Sequence, residues 1–130
     1  MIVVDASAVV EMLLASTSGE EIAEELLASE RGLHAPHLLD AEVTSALRKG
    51  WLRGVLTEER ARQALEDLPD LPIERHGHVL LLERAWNLRA VLTVYDALYV
   101  ALAETLAAPL LTCDARIAKA TGLDIEVLVR

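Results

Sequence analysis

The sequence predicts an α/β fold with a parallel central sheet flanked by helices. Three observations predict it. Short apolar, β-branched runs alternate with segments whose apolar residues recur at helical spacing, the pattern of strand–helix–strand crossovers. The length of 130 residues suits a single domain over 1–130. Acidic residues stand where two of the predicted strands hand over to helices, the end of a parallel sheet where ligands bind.

The elements follow in order. Ile2-Val3-Val4 reads as a buried strand that stops at Asp5. Ser7 to Ala15 has helical spacing, and Ser16 to Gly19 breaks it. Ser18 and Glu21 fit a capping box for a second helix through Leu27, whose acidic face reads as solvated. Leu33 to Ala35 predicts a strand ended by Pro36, and Leu38 to Leu52 a helix with Leu39, Val43, Ala46 and Leu47 on one stripe, closed by Gly54. Thr57 caps a fourth helix, with Glu58 and Glu59 at the positive end of its dipole. Pro69 and Pro72 bracket a turn before a strand at Ile73 to Arg75. Val79 to Leu88 and Val94 to Leu106 have helical spacing. Leu110 to Thr112 reads as a buried strand, Ala115 to Thr121 as a short helix and Ile125 to Val129 as a last strand. Four to five parallel strands result.

Composition excludes several classes. A hydrophobic fraction of 53% rules out disorder, and with no Phe the core must be built from Leu, Val, Ile and Ala. No apolar run approaches the roughly 20 residues of a membrane span. The N-terminal pattern is not that of a signal peptide, and Cys113 has no second cysteine to pair with. A cytoplasmic setting is expected. The net charge of −9 is a poor footprint for nucleic acid, because phosphate affinity comes mostly from Lys and Arg.

Four acids nevertheless point to chemistry. Asp5 and Asp114 each follow a strand, where Asp is also a favoured helix cap. Asp96 opens a helix that is apolar nearly all round, where an unpartnered carboxylate is costly unless the helix dipole and a Thr93 cap hold it. Glu42 lies beside the core stripe of the third helix, a position that on its own reads as surface, as does the neighbouring Asp40. If the fold gathers Asp5, Glu42, Asp96 and Asp114, their repulsion requires a cation, and all-oxygen donors suit Mg²⁺ or Mn²⁺. Such an ion can activate water for displacement at phosphorus. Ser7 and Thr112 offer hydroxyls to orient a carboxylate; the plain alternatives are a helix cap and an ordinary strand residue.

The chain resembles the PIN domain, and within it the small VapC-type toxins of prokaryotic toxin–antitoxin pairs. Five stretches carry the resemblance: Met1 to Ser7 (strand, then D-x-S); Ala35 to Leu47 (P-x-x-L-x-x-E-V-x-x-A-L); Leu92 to Ala103 (Y-D-A-x-Y-x-A-L-A); Leu110 to Asp114 (L-x-T-x-D); and Arg116 to Ala120. They stand in the family's order across nearly the whole chain. A further acid that some members carry after the T-x-D motif is absent, since Ala115, Arg116 and Ile117 follow Asp114.

The resemblance implies a PIN-like three-layer sandwich and a Mg²⁺- or Mn²⁺-dependent endoribonuclease. Asp5, Glu42, Asp96 and Asp114 would hold the metal, Asp5 and Asp96 most directly, and activated water would attack the RNA phosphodiester. It also implies a VapB-type antitoxin, a homodimer and no membrane. The acidic charge then requires local cations near the pocket. Arg48, Lys49 and Arg116 are the candidates for phosphate contact, each with a plain surface alternative.

Other residues read as structural. His34, His37, His76 and His78 show no zinc-ligand spacing with Cys113 or the acids and are expected on surface or loops. Cys113 is expected to be small and buried, and Trp51 and Trp86 to be core or partner-groove anchors. Two Asp/Mg²⁺ phosphoryl-transfer folds compete. The haloacid-dehalogenase pattern wants a second Asp where Ser7 stands, and a receiver domain wants a Lys after a late strand that Leu110 to Asp114 does not offer. A non-catalytic PIN-like partner-binding module is the remaining alternative, against which the retention of all four acids weighs.

Overall fold

The computed structural model describes residues 1–130. In chain order the elements are β1 (Ile2–Val4), α1 (Ala6–Leu13), α2 (Thr17–Ser29), β2 (Leu33–Pro36), α3 (Leu38–Leu52), α4 (Glu58–Asp67), β3 (Ile73–His76), α5 (Leu82–Asn87), α6 (Val94–Leu106), β4 (Leu110–Thr112), α7 (Ala115–Ala118) and β5 (Val127–Val129). Two 3₁₀ turns, Leu68–Asp70 and Val79–Leu81, precede β3 and α5.

All five strands are parallel and lie in the order β3-β2-β1-β4-β5. The chain winds outward from β1 through β2 to β3, then returns to the other side of β1 for β4 and β5. The order therefore reverses between β1 and β4, and the crevice beyond their carboxyl ends is where such sheets bind ligands. The core packs 30 apolar residues around this sheet. Val3, Val4, Leu110 and Leu111 are fully enclosed, as strands covered on both faces must be. Helix α6 lies against β1, β2 and β4 and is buried continuously from Ala97 to Ala103.

Most expected elements are present, and the differences have physical causes. Helix α2 is capped by Ser16, whose hydroxyl accepts from the Gly19 amide, and not by Ser18. Gly19 sits buried within α2: a Cβ there would lie 1.9 Å from the Glu11 carbonyl oxygen, so only glycine lets α2 cross the end of α1. The segment expected to be one helix from Val79 splits into a 3₁₀ turn and α5. The short helix after Asp114 stops at Ala118, and the last strand starts at Val127. No helix is long and apolar enough to cross a membrane.

The histidines depart furthest from expectation. His34 is buried on β2, with its Nδ1 2.9 Å from Nε2 of His76 on β3. His78 accepts the Leu38 amide of α3 at 3.0 Å, capping a helix whose own N-cap residue, His37, makes no side-chain cap. Asp40 is no free surface charge either: Arg75 of β3 grips both its oxygens at 2.9–3.2 Å and ties α3 to the sheet edge. Trp51 and Trp86 are both more than half exposed, so neither is a core residue; Trp86 stacks under the Arg89 guanidinium at 4.3 Å.

Candidate active site

Asp5 anchors the crevice. Its placement as N-cap of α1 directs its carboxylate beyond the end of β1, where Oδ1 accepts the Ala8 amide at 3.1 Å. Ser7 donates to the same oxygen at 2.6 Å, and Thr112, wholly buried at the end of β4, donates to Oδ2. The two hydroxyls are held in turn: the Cys113 amide donates to Ser7 Oγ and the Asp114 amide to Thr112 Oγ1, both at 2.9 Å. The Ser7 and Thr112 hydroxyls thus both bond the Asp5 carboxylate, and they stitch β1 to β4 across the switch point.

The remaining acids come from three other elements. Asp96 lies in the first turn of α6, where its amide is capped by Thr93 Oγ1 at 3.2 Å. Glu42 projects from the second turn of α3 and is half-buried. Asp114 caps α7 and is gripped by Arg116 at 2.6–3.0 Å.

Their electrostatics reveal the grouping. Burial raises the carboxyl pKa of Asp5 above the ordinary value, and neighbouring Asp96 adds to the rise, while the bonds from Ser7, Thr112 and Ala8 oppose it. Burial likewise raises Glu42, with Asp96 and Asp5 adding repulsion. Asp96 is raised by burial and by Asp114. Asp114 moves the other way, lowered by its hydrogen bonds to Arg116. The fold therefore brings Asp5, Glu42 and Asp96 within electrostatic reach of one another, with Asp114 in reach of Asp96. Their oxygens do not close into one tight coordination shell; the only trio of potential ligand atoms that does so is His34, Glu74 and His76.

A cavity of about 580 Å³ opens on this site, lined among others by Ser7, Glu11, Glu42, Lys49, Tyr95 and Cys113. Of the three expected phosphate contacts, Lys49 faces this cavity and draws the Glu42 carboxyl pKa downward. Arg48 instead lines a groove between α3 and α4 with Trp51, Glu58 and Arg62. Arg116 is largely exposed and committed to Asp114. Cys113 is only half-buried, and burial raises its thiol pKa.

Sequence reasoning missed two members of the site. Glu11, one helical turn after Ser7 on α1, adds a second carboxylate to the cavity wall beside Glu42. Tyr99 lies one turn after Asp96, and that i, i+3 spacing from a singled-out acid was the available signal. Its hydroxyl is the one buried side-chain polar atom with no hydrogen-bond partner. Burial pushes its pKa up, helped by Glu42, Asp5 and Asp96, and Glu42 is close enough to act on it directly without meeting full hydrogen-bond geometry.

Comparison with known proteins agrees with this geometry. The PIN domain family matches residues 2–123. The chain belongs to the PIN-domain family. Among curated relatives of this PIN domain, Ribonuclease VapC1 of Mycobacterium tuberculosis is 50% identical over 130 residues, covering 98% of this chain and 97% of that protein. Ribonuclease VapC12 of the same organism is 38% identical over 127 residues, with 98% and 97% covered. Among solved structures, PAE2754 from Pyrobaculum aerophilum superposes with a TM-score of 0.70 at 24% identity, over 98% of this chain and 83% of that one. VapC20 of M. tuberculosis, described as a sarcin–ricin loop cleaving toxin, gives 0.68 at 16% identity, over 96% and 98%. These two likenesses concern the fold.

Proposed function

We propose that residues 1–130 act as a single PIN-like domain, a VapC-type endoribonuclease and the toxin of a type II toxin–antitoxin pair. The observation that supports this reading is the mutual repulsion of Asp5, Glu42 and Asp96, with Asp114 in reach of Asp96, in a chain half identical to a named VapC ribonuclease.

The residues present fit a hard divalent cation. Every candidate ligand is an oxygen, burial and mutual repulsion disfavour ionisation of three of the carboxyls, and a buried Tyr99 hydroxyl is left without a partner beside them. Mg²⁺ or Mn²⁺ would be held by Asp5 and Asp96, with Glu42 and Asp114 completing the site. When bound, such an ion supplies Lewis-acid stabilisation and water activation for hydrolysis of a phosphodiester. A loose set of carboxylates suits Mg²⁺, which keeps several of its waters.

The chain's own residues do the rest. Ser7 and Thr112 fix the Asp5 carboxylate from both sides. Tyr99, neutral and buried, has a hydroxyl to give to Glu42 or to a water in the cavity. Lys49 contributes the cationic charge on the cavity wall that offsets an otherwise acidic approach for RNA. The α3–α4 groove, lined by Leu47, Trp51, Ala61 and Leu65, offers an apolar seat for a VapB-type antitoxin, and the protein is expected to form a homodimer.

The test is cleavage of total cellular RNA by the purified chain with Mn²⁺, with EDTA, and in the Asp5→Asn/Asp96→Asn variant, read by mapping of RNA ends. Discrete cuts that vanish with EDTA and in the variant are expected. Cutting that survives both would refute a carboxylate-held metal. Absence of both cutting and Mn²⁺ binding by calorimetry would favour the non-catalytic partner-binding module.

A further inference from the structure

A second cluster of ligating side chains stands apart from the four acids and shares no residue with them. His34 lies on β2, Glu74 and His76 on the edge strand β3. The register pairs His34 with Glu74 and Pro36 with His76. Residues two apart on a strand share a face, and so do directly paired residues of neighbouring strands. The three side chains therefore project together for a backbone reason. The Nδ1 of His34 is 2.9 Å from Nε2 of His76 and 3.5 Å from Oε2 of Glu74, and all three ligand atoms lie within 4.8 Å of one another.

A hydrogen bond between the two rings explains only part of this. One imidazole N–H serves one acceptor well, yet both the His76 nitrogen and the Glu74 carboxylate converge on the same atom of His34. A tetrahedral ion with bonds of about 2.0–2.2 Å sets its donor atoms roughly 3.3–3.6 Å apart; His34 and Glu74 already stand at 3.5 Å, and the two rings at 2.9 Å need open only slightly. Two imidazoles and a carboxylate are donors for a borderline metal, unlike the all-oxygen acid site. His34 is buried at the base of the cluster, whereas the Glu74 side chain is 69% exposed at its mouth. That side is open to entry and to a water as fourth ligand. The backbone is pinned as well, since the His76 carbonyl accepts the His37 amide at 2.8 Å.

We infer that His34, Glu74 and His76 form a Zn²⁺ site that clips the edge strand β3 to β2. Its role is structural. β3 carries Arg75, which holds Asp40 of α3, the helix that presents Glu42. The clip thus steadies the outer support of the acid site and ties down an edge strand with an unpaired side. It does not depend on the nuclease reading.

The test uses the untagged full chain with Mg²⁺ in excess to occupy the acid site. Calorimetry should show a single Zn²⁺ bound per chain, and Co²⁺ should give the visible absorption of a four-coordinate N/O site that Zn²⁺ displaces. At Zn²⁺ about 100-fold above its dissociation constant, the melting midpoint should rise by roughly 10 °C. His76→Gln should weaken Zn²⁺ binding at least about 100-fold, and Asp5→Asn/Asp96→Asn should leave it intact. Imidazole ¹⁵N spectra of the wild-type chain supply a readout that needs no variant to fold: one equivalent of Zn²⁺ should shift the His34 Nδ1 and His76 Nε2 resonances. No binding in excess Mg²⁺, binding indifferent to His76→Gln, binding lost in the Asp5/Asp96 variant, or unmoved His34 and His76 resonances would each overturn the inference. Failure of RNA cleavage would not bear on it.

Discussion

Asp5 and Asp114 share one local grammar and differ in almost everything else. Each follows a buried parallel strand, caps the next helix and accepts a backbone amide from its first turn. Asp5 is only 6% exposed and its partners are hydroxyls and an amide, so no cation inside the protein answers its charge. Asp114 is more open and is gripped by a guanidinium two residues on. Burial pushes one carboxyl pKa up, and Arg116 pulls the other down. A motif in sequence thus fixes where a carboxylate stands, while its surroundings fix what that carboxylate lacks: Asp5 lacks a cation, and Asp114 already has one.

The largest effect expected is on Asp5. Asp5→Asn should cut RNA cleavage by at least about 100-fold, more than loss of a group that only orients a ligand. Equal damage from Asp114→Asn would erase the distinction.

Asp96 resembles Asp5 in kind, and its stability should show it. Its folded pKa lies above the ordinary value near 3.9. As pH rises, the unfolded chain releases this proton first, so ionisation favours unfolding. The penalty begins near pH 4 and is complete once the pH passes the folded pKa. Asp96→Asn should therefore lose activity yet melt above wild type at pH 7 without divalent metal, with the gap closing in acid. A melting point well below wild type would mark Asp96 as structural. Asp114 has the opposite sign: its paired state stabilises above the unfolded pKa and fades as pH falls through the folded one, by little because Arg116 is exposed.

Thr112→Val keeps shape and burial but leaves Asp5 Oδ2 and the Asp114 amide each short of a partner. Cleavage should fall about 10–100-fold in single-turnover assays, the usual range for a residue that orients a ligand. Arg116→Ala should matter least. Asp114 stays ionised at neutral pH with or without its partner, so the cleavage rate at pH 7 should be unchanged; a large loss would give Arg116 a direct part in RNA contact.

Much of this was legible in the sequence because it is written locally. The bounds of α3 and α6, the strand at Leu110–Thr112 and the Thr57 cap follow from periodicity and capping chemistry within a few residues. What escaped depends on partners distant in the chain. His34 and His76 carry no sign of each other until β2 and β3 pair, and Asp40 looks like surface until Arg75 arrives from β3. The reason for a glycine at position 19, the close Glu11 carbonyl, belongs to another helix and is not visible along the chain. Tyr99 was within reach at one turn from Asp96, but its orphaned hydroxyl is a property of the packed interior.

The stitch between Asp5 and Thr112 spans 107 positions of chain. A ribosome that has reached Leu106 has already made Asp5, Glu42 and Asp96, but it has made neither β4 nor the hydroxyl that seats Asp5 from the far side. Strand pairing at such separation comes late in folding. Until β4 has been made and has paired with β1, the Asp5 carboxylate therefore lacks its buried partner, and the acid site is among the last parts of the chain to be assembled.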